Sequence, residues 1–501
     1  MIRREIKEKL QAKKDIKDIN SEREKIIRSS LREDLKYSLP DDKDLTVDQI
    51  SEIEKFWSKY KFALTPPLEC FKTYFNRTGQ FDPRFITYRF RKMFDNDFSP
   101  ERYRYALQDK GYLPKIFSKG RQPKTLVRKI GAVILDTDFN NIDLNKAAEI
   151  CYDYISNGDE IVIKANSSSG GGNSLVFVKD KELKEVKKIL QNYKTDYTIQ
   201  EVIKQHEVMS ALNCSTVNTV RLTTFLLKDK VVALAALIKV GNKDVRVDNY
   251  KHGGHMIGID LTTGRTLDWA LDINYSKVKE LPTGVDLSNN GVEVPYFKEL
   301  VDMAIKCHYE IPRIRMVGWD IAIDEKGPVI IENNFSCDFR MHQVLTGPIF
   351  GEYTEEVLDE FLLKKFFKPG INSNYIYNEY YDHVTLKKYL GSKKKVIIPD
   401  TINGKPVTKI EGEAFKRNHK IIEVIIADSV RTLGSKAFYR CNNLKMVTLS
   451  KKMTRLQKET FANSRNLSQV INLENIKYIG GRCFYNCDNL DNKASNFIQV
   501  K

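Results

Sequence analysis

The sequence predicts an α+β domain of mostly antiparallel sheets, preceded by a helical segment and followed by a solenoid of short repeats. Three observations predict it. The apolar period changes from helical to strand-like near residue 100, Val- and Ile-rich runs then alternate with helical runs to residue 368, and a 23-residue periodicity begins after residue 378. At 501 residues the chain is too long for one core, so two or three domains are expected.

Residues 1–100 read as helices. Ile2, Ile6 and Leu10, then Ile27, Leu31 and Leu35, recur at helical spacing among charges. The run LTVDQISEIEKFWSKY (45–60) offers Thr46 as an N-cap and sets Ile50, Ile53 and Trp57 on one face, and Pro66-Pro67 ends it. No catalytic constellation stands here, so the segment is expected to be a cover or a substrate lobe. Residues 101–368 form the α+β domain. EIVIKA, SLVFV, TVRLTTFLL, VVALAALIKV, MIGIDL, WDIAI and PVIIEN have strand composition, while residues 180–193 and 296–307 carry helical periodicity.

Residues 378–501 repeat. Phe415, Phe438, Phe461 and Phe484 are spaced by 23, and so are Ile410, Leu433, Leu456 and Ile479. Ile421, Leu444, Leu467 and Leu490 keep the register, as do Val424, Val447 and Val470. One such unit cannot hide its apolar face alone, so the units must stack around a shared core. The four phenylalanines are expected to form one buried ladder.

A composition of 41% hydrophobic and 30% charged residues belongs to a folded chain rather than a disordered one. No apolar run approaches the roughly 18–20 residues that span a bilayer. The start, MIRREIKEKLQAKKD, is charged throughout, so a cytoplasmic location without a membrane partner is expected. Eight scattered cysteines without a CxxC pair read as reduced core thiols, not as a zinc site. Charge is unevenly placed. Residues 381–501 hold 23 Lys/Arg against 10 Asp/Glu, an excess of 13 in a chain of net +16. Lys393, Lys394 and Lys395 cluster, and so do Lys451, Lys452, Arg455 and Lys458. This suits an anionic partner such as an acidic peptide or polysaccharide, with nucleic acid ranked lower; solubility alone is the plainer reading.

Two stretches carry chemistry. In DEIVIKANSSSGGGNSLVFV (159–178), Lys164 ends a strand within reach of a phosphate, and the Ser/Gly run including Ser168, Ser169, Gly170, Gly171 and Gly172 supplies backbone N–H groups for anionic oxygens. In VGWDIAID…GPVIIENN (317–334), Asp320 lies on one strand and Glu332 and Asn334 end the next, a set of hard oxygen ligands for Mg²⁺. Arg221, in NTVRLTTF, is placed to neutralise a transferred phosphoryl group or to serve a structural ion pair. Lys239 and Arg246 are further cleft residues. His252 and His255 flank a Gly-Gly loop, as bases or as exposed loop residues.

These parts in this order resemble the ATP-grasp superfamily. Through STVNTVR (215–221), DNYKHGGHMIGIDLTTG (248–264) and GWDIAI (318–323) they resemble, more narrowly, the sugar-transfer-associated ATP-grasp family, over roughly residues 45–368. The pattern xIxxxAFxxCxxLxxVxL of the C-terminal region resembles the BspA-like leucine-rich repeat, with Cys441 and Cys487 in one core column. The resemblance implies ATP and Mg²⁺ as cofactors. It makes Lys110 and Lys164 phosphate-contacting lysines, and IQEVI (199–203) a hinge whose Glu201 backbone and Ile203 side chain meet adenine. It gives the ribose to Glu207 or His206 and the metal to Asp320, Glu332 and Asn334, beside which Arg221 and Lys239 stand as the candidate catalytic residues. It further implies a carboxylate–amine ligase that forms an amide through an acylphosphate, on a peptide or sugar-linked acceptor recruited by the repeats. A phosphotransferase on the same fold and a non-enzymatic nucleotide-binding scaffold are the alternatives.

Overall fold

The computed structural model describes residues 10–491 and 494, except 12, 19, 23, 26–28, 30–31, 34–37, 39–40, 167–174, 247–252, 290 and 338. The expected helical positions Ile2, Ile6, Ile27, Leu31 and Leu35 lie outside the described residues, as do Ser168, Ser169, Gly170, Gly171, Gly172 and His252. Two compact units form. One holds residues 29–56 and 66–354; the other holds residues 57–65 and 355–491 with described residues of the first 28.

In the larger unit, helix Val47–Ser58 starts at a reciprocal cap. The Thr46 hydroxyl accepts the Gln49 N–H at 3.2 Å, and Gln49 Oε1 accepts the Thr46 N–H at 2.8 Å. Two antiparallel sheets follow. The first contains β1 (Thr125–Ile130), β2 (Val133–Asp136), β3 (Asn141–Ile142), β4 (Ile161–Ala165), β5 (Val176–Val178) and β6 (Tyr197–Glu201), in the order β3-β2-β1-β6-β4-β5. Helices Leu144–Ile155 and Leu183–Asn192 cover it. Their Ala147, Cys151, Ile155, Val186 and Leu190 pack in one cluster with Val127, Ile161, Ile163 and Ile199. Asp143 caps the first helix at Lys146 N–H, and Glu182 and Glu185 form a capping box on the second.

The second sheet contains β7 (Thr219–Leu226), β8 (Val231–Val240), β9 (His255–Ile259), β10 (Ala270–Leu271), β11 (Lys277–Val278), β12 (Met316–Asp324) and β13 (Gly327–Asn334), in the order β11-β10-β9-β8-β7-β12-β13. Along β12 the side chains alternate. Trp319, Ile321 and Ile323 share a core cluster with Leu300, Ala304 and Cys307 of helix Phe297–His308, which leaves Gly318 and Asp320 on the other face.

The smaller unit is built on the period read from the sequence. Strands Lys395–Ile397, Glu423–Ile425, Met446–Thr448 and Gln469–Ile471 pair in parallel, with Val424, Val447 and Val470 side by side. Phe415, Phe438, Phe461 and Phe484 stack with centroids 4.8, 5.5 and 5.3 Å apart. Tyr389 extends the ladder at 5.0 Å from Phe415, although it lies off the 23-residue register. The expectation that all four phenylalanines are buried needs one correction. Phe484 is only partly buried, because it sits in the last repeat and is stacked only on the Phe461 side among the described residues. The cysteine column is completed by Ser464. Cys441 Sγ, Ser464 Oγ and Cys487 Sγ donate in turn to the carbonyls of Phe415, Phe438 and Phe461 at 3.0, 2.8 and 3.2 Å. None of the eight cysteines is in a disulfide; seven are buried and Cys214 is exposed. Among the described residues no helix is long and apolar enough to cross a membrane.

Candidate functional site

Strand register alone gathers the site. Asp320 faces Glu332 on β13 and Arg221 on β7, Gly318 faces Asn334, and Lys239 of β8 faces Thr219, two residues before Arg221. Directly paired residues and those two apart share a face. Lys239, Arg221, Asp320, Glu332 and Asn334 therefore line one face of four adjacent strands. The β12–β13 register slips just after Asp320, so Ile331 is an extra residue beside Glu332, a bulge of the kind that re-aims side chains next to functional sites.

Asp320 is 2% exposed and held by two cations. Arg221 grips it through Nε at 2.5 Å and Nη2 at 2.8 Å, and Lys239 Nζ lies 3.2 Å from its Oδ2. Burial works against the carboxylate's charge, but Arg221 and Lys239 outweigh it and hold Asp320 well below the usual carboxylate range. Burial also opposes the guanidinium's charge, and Asp320 overrides it, raising Arg221 above its ordinary value. Of the two expectations for Arg221, the ion pair is what the structure shows.

Glu332 is the more open carboxylate, and Lys110 Nζ lies 3.2 Å from its Oε2. Asn334 Nδ2 donates to both acids, at 3.2 Å to Glu332 Oε1 and 3.3 Å to Asp320 Oδ2. Among the described residues no three His, Cys, Asp or Glu side chains are grouped for a metal, so an ion here would take two carboxylates and the Asn334 amide oxygen. The Asn334 amide N–H group lies between the two carboxylates, and half a turn of the amide would present its oxygen there instead. The donor set fits a small hard divalent ion.

Lys110 also meets the first sheet: its N–H donates to the Asn166 carbonyl at 3.3 Å, just beyond β4. Gly111 permits this approach, since an added Cβ would stand 2.9 Å from Asn166 Nδ2. Lys164 lies on β4 opposite Thr198 of β6, whose hydroxyl donates to Asn166 Oδ1 at 2.7 Å. That face of the sheet is turned away from the covering helices. Arg246 pairs with Glu160 at 2.7 and 2.6 Å and lies 3.6 Å over the Phe177 ring, so it also reaches this sheet.

The hinge residues are more committed than expected. Glu201 gives its N–H to Lys124 O, and its carboxylate accepts the Lys124 N–H at 2.8 Å and the Tyr154 hydroxyl at 3.3 Å. Ile203 follows β6 in a half-buried position. His206 caps the short helix Glu207–Leu212 by accepting the Val208 N–H at Nδ1, and the Glu207 N–H donates to Glu325 Oε1 at 3.3 Å. His255 opens β9, half-buried, and burial pulls its pKa below the ordinary value.

Sequence reasoning missed the residues that brace the hairpin. Arg91 Nη2 and Ser99 Oγ both donate to the Phe335 carbonyl, at 3.2 and 2.9 Å, and Asn333 Nδ2 donates to Leu107 O at 2.9 Å. Cys337 Sγ donates to Asn334 O at 3.4 Å. Gly318 makes room for it, since an added Cβ would lie 2.8 Å from Cys337 Sγ and 3.3 Å from Arg221 Cδ. The glycine before Trp319-Asp320 was the one signal available.

Comparison with known proteins agrees with this architecture. Residues 124–357 match the family described as sugar-transfer associated ATP-grasp, and residues 389–496 match six copies of the BspA type leucine-rich repeat region. None of the curated proteins matches the chain. Among solved structures, a leucine-rich cell surface protein from Faecalibacterium prausnitzii A2-165 is 28% identical, with 25% of this chain and 35% of that one covered and a TM-score of 0.23. The chain thus spans about a third of that protein's length. The ATP-grasp ligase PsnB, solved with a minimal precursor, Mg and ADP, is 12% identical over 52% of this chain and 61% of that one, with a TM-score of 0.30. N5-carboxyaminoimidazole synthetase from Staphylococcus aureus, solved with ADP, is 12% identical over 48% and 52%, with a TM-score of 0.29. Residues 124–357 are a sugar-transfer associated ATP-grasp segment, and residues 389–496 a run of BspA type leucine-rich repeats.

Proposed function

We propose that the larger unit is an ATP- and Mg²⁺-dependent carboxylate–amine ligase of the cytoplasm. The observation that carries this reading is the single face on which two carboxylates, one amide and the cations Arg221, Lys239 and Lys110 converge. A divalent ion held by Glu332, Asn334 and Asp320 would compensate the charge of the ATP phosphates. Lys110 and Lys164 bind phosphate oxygens, and Lys110 exchanges Glu332 for the nucleotide when it does so. Arg221 and Lys239, fixed by Asp320, keep positive charge beside the phosphoryl group as a carboxylate oxygen attacks it and ADP leaves. The amine nitrogen then attacks the acyl carbon, phosphate departs, and the nitrogen's proton goes to water. Such chemistry needs positioning and charge compensation rather than a protein nucleophile. Glu201, Ile203, His206 and Glu207 contact the adenosine.

Mass spectrometry of ATP-dependent products tests the reading. The expected outcome is ADP together with a product equal to acid plus amine less water, with heavy oxygen from a labelled carboxylate recovered in phosphate. A phosphorylated hydroxyl compound would establish the phosphotransferase instead, and nucleotide binding without turnover the scaffold.

The repeats recruit an anionic acceptor, a peptide or polysaccharide, on their basic surface. The excess of 23 Lys/Arg over 10 Asp/Glu in residues 381–501 supports this. Acceptor binding should weaken steeply with salt, and charge reversal at Lys451, Lys452 and Arg455 should raise the KM for acceptor but not for ATP.

A further inference from the structure

The connection between β8 and β9 leaves the second sheet just past Lys239, and one of its side chains reaches the first sheet. The base of the connection is tied to its own sheet. Buried Asn213 donates from Nδ2 to the Gly241 carbonyl at 2.9 Å and to the Asn242 carbonyl at 3.2 Å. Asn242 lies against Gly253 near the far end, where an added Cβ would stand 2.9 Å from its Nδ2. From this base Arg246 crosses to the first sheet.

There it meets two elements at once. Its Nη1 and Nη2 donate side by side to the two Glu160 oxygens, just ahead of β4, and its guanidinium lies 3.6 Å from the centre of the Phe177 ring on β5. This bond also holds the Glu160 carboxyl below its ordinary range. Phe177 pairs with Val162, whose neighbours Ile161 and Ile163 pack beneath the covering helices. Val162 and Phe177 therefore belong to the opposite face, the one that carries Lys164. So a residue carried by the second sheet stacks on the site face of the first. A planar fork that is both bidentate and stacked holds one geometry, which a lysine cannot reproduce. It keeps that geometry only over a narrow range of spacings between the two sheets. Whatever else favours that spacing favours the bond, and the bond favours it in return. A nucleotide between Lys164 on the first sheet and Glu332 and Asn334 on the second acts in this way.

We propose that Arg246 is a positioning residue: paired with Glu160 and stacked on Phe177, it sets the spacing of the two sheets and so raises nucleotide affinity without touching the nucleotide. The inference rests on the ligase reading for the nucleotide and its place, but it can be tested without turnover. Direct contact between Arg246 and a phosphate predicts the opposite sign at Glu160. Removing an acid beside an anion-binding arginine strengthens anion binding, whereas removing the partner of a positioning arginine weakens it.

The test is calorimetric titration of the full-length protein with the magnesium complex of adenylyl imidodiphosphate, an ATP analogue that is not hydrolysed. Arg246→Ala and Glu160→Gln should each weaken binding roughly 5-fold, at the low end of ordinary coupling between sites. The double variant should be no weaker than either single one, because both changes remove the same bond. Arg246→Lys keeps the charge but not the fork, and should behave as Arg246→Ala does. The Arg246 side chain is 47% exposed, so melting temperatures should barely move. Unchanged affinity in either single variant, tighter binding in Glu160→Gln, multiplied losses in the double variant, or full rescue by Arg246→Lys would each overturn the assignment. A protein that shows this coupling yet forms no amide would refute the ligase reading alone. One that binds the nucleotide without the coupling would refute only the role of Arg246, and one that binds no nucleotide would refute both.

Discussion

In the repeat stack every contact recurs. Phe438 meets Phe461 as Phe415 meets Phe438, and each core column is visible at a spacing of 23 in the sequence. On the site face nothing recurs: Arg221 meets Asp320 across 99 residues, and Lys110 meets Glu332 from a loop ahead of the first sheet. A repeat stack spreads its stability over near-identical interfaces, so each residue has neighbours that do similar work. The site face concentrates charge on single side chains without a second copy. Substitutions should therefore divide into all-or-none effects on the face and graded effects in the stack.

The largest expected effect is within the face itself. Glu332→Ala should lower ATP turnover by roughly 100-fold or more, since phosphate charge then loses its ligand, while melting temperature barely moves. Asp320→Ala should also abolish turnover, but it leaves half-buried Arg221 and Lys239 without their shared carboxylate and should cost roughly 2–4 kcal/mol of stability. Activity assays paired with denaturant titration separate the two. A Glu332→Ala protein with full turnover would remove the face from the mechanism.

Next comes the stack. Phe438→Ala leaves a cavity between two rings and should cost about 3–5 kcal/mol in the transition of the repeat unit. The same change at Phe484, which is only partly buried, should cost clearly less. Equal losses would mean that the ladder is no stack of equivalent interfaces.

How much of this was legible follows from the same contrast. The repeat columns could be read because each one states the same burial several times over. The strand positions of Lys164, Asp320, Glu332 and Asn334 could be read because Val- and Ile-rich runs mark the strands that carry them. The pairing of Lys110 with Glu332, the Arg91 and Ser99 bonds to Phe335 O, and the approach of Cys337 to Gly318 could not, because each depends on where distant segments land. Arg221 marks the boundary. Its strand position was legible, but its partner came only with the β7–β12 register.

A smaller effect tests the support beneath the face. His308 is fully buried, donating from Nε2 to the Ile314 carbonyl at 2.9 Å and accepting at Nδ1 from the Thr224 hydroxyl at 2.7 Å. Thr224 in turn accepts the Trp319 indole N–H at 2.8 Å, so the chain of bonds is complete only with a neutral ring. Burial lowers the His308 pKa from 6.5 to about 4. The unfolded chain therefore takes up this proton at a higher pH than the folded one. The contribution is fully present above pH 6.5 and is lost as pH falls towards about 4, about 3 kcal/mol in all. Denaturant titration of the larger unit's transition across that window should show the slope, and His308→Gln should flatten it.

The smallest effect belongs to the outer edge of the stack, and it asks whether equivalence between repeats extends beyond the core. Glu413, Lys436, Glu459 and Arg482 occupy one turn position in successive repeats, each with φ between 57° and 63° in the left-handed region. Left-handed backbone disfavours ordinary side chains, so repetition of the geometry reflects the turn that the stacked strands require. Their charges alternate in sign, and Lys436 Nζ lies 3.5 Å from Glu459 Oε2. Like charges in register repel and opposite ones attract, so alternation favours the observed register over a slip by one repeat only if the pairs contribute at all. Lys436 keeps much of its side chain in water, where such pairs are worth about 0.2–1 kcal/mol and weaken with salt. Lys436→Glu should therefore lower the stability of the repeat unit by roughly 1 kcal/mol at low salt, with most of the loss recovered at high salt. The double change Lys436→Glu with Glu459→Lys should restore part of it. A single variant as stable as the original protein at low salt would show that the turns are set by backbone stacking alone, and that charge in this column does no more than keep the surface wet.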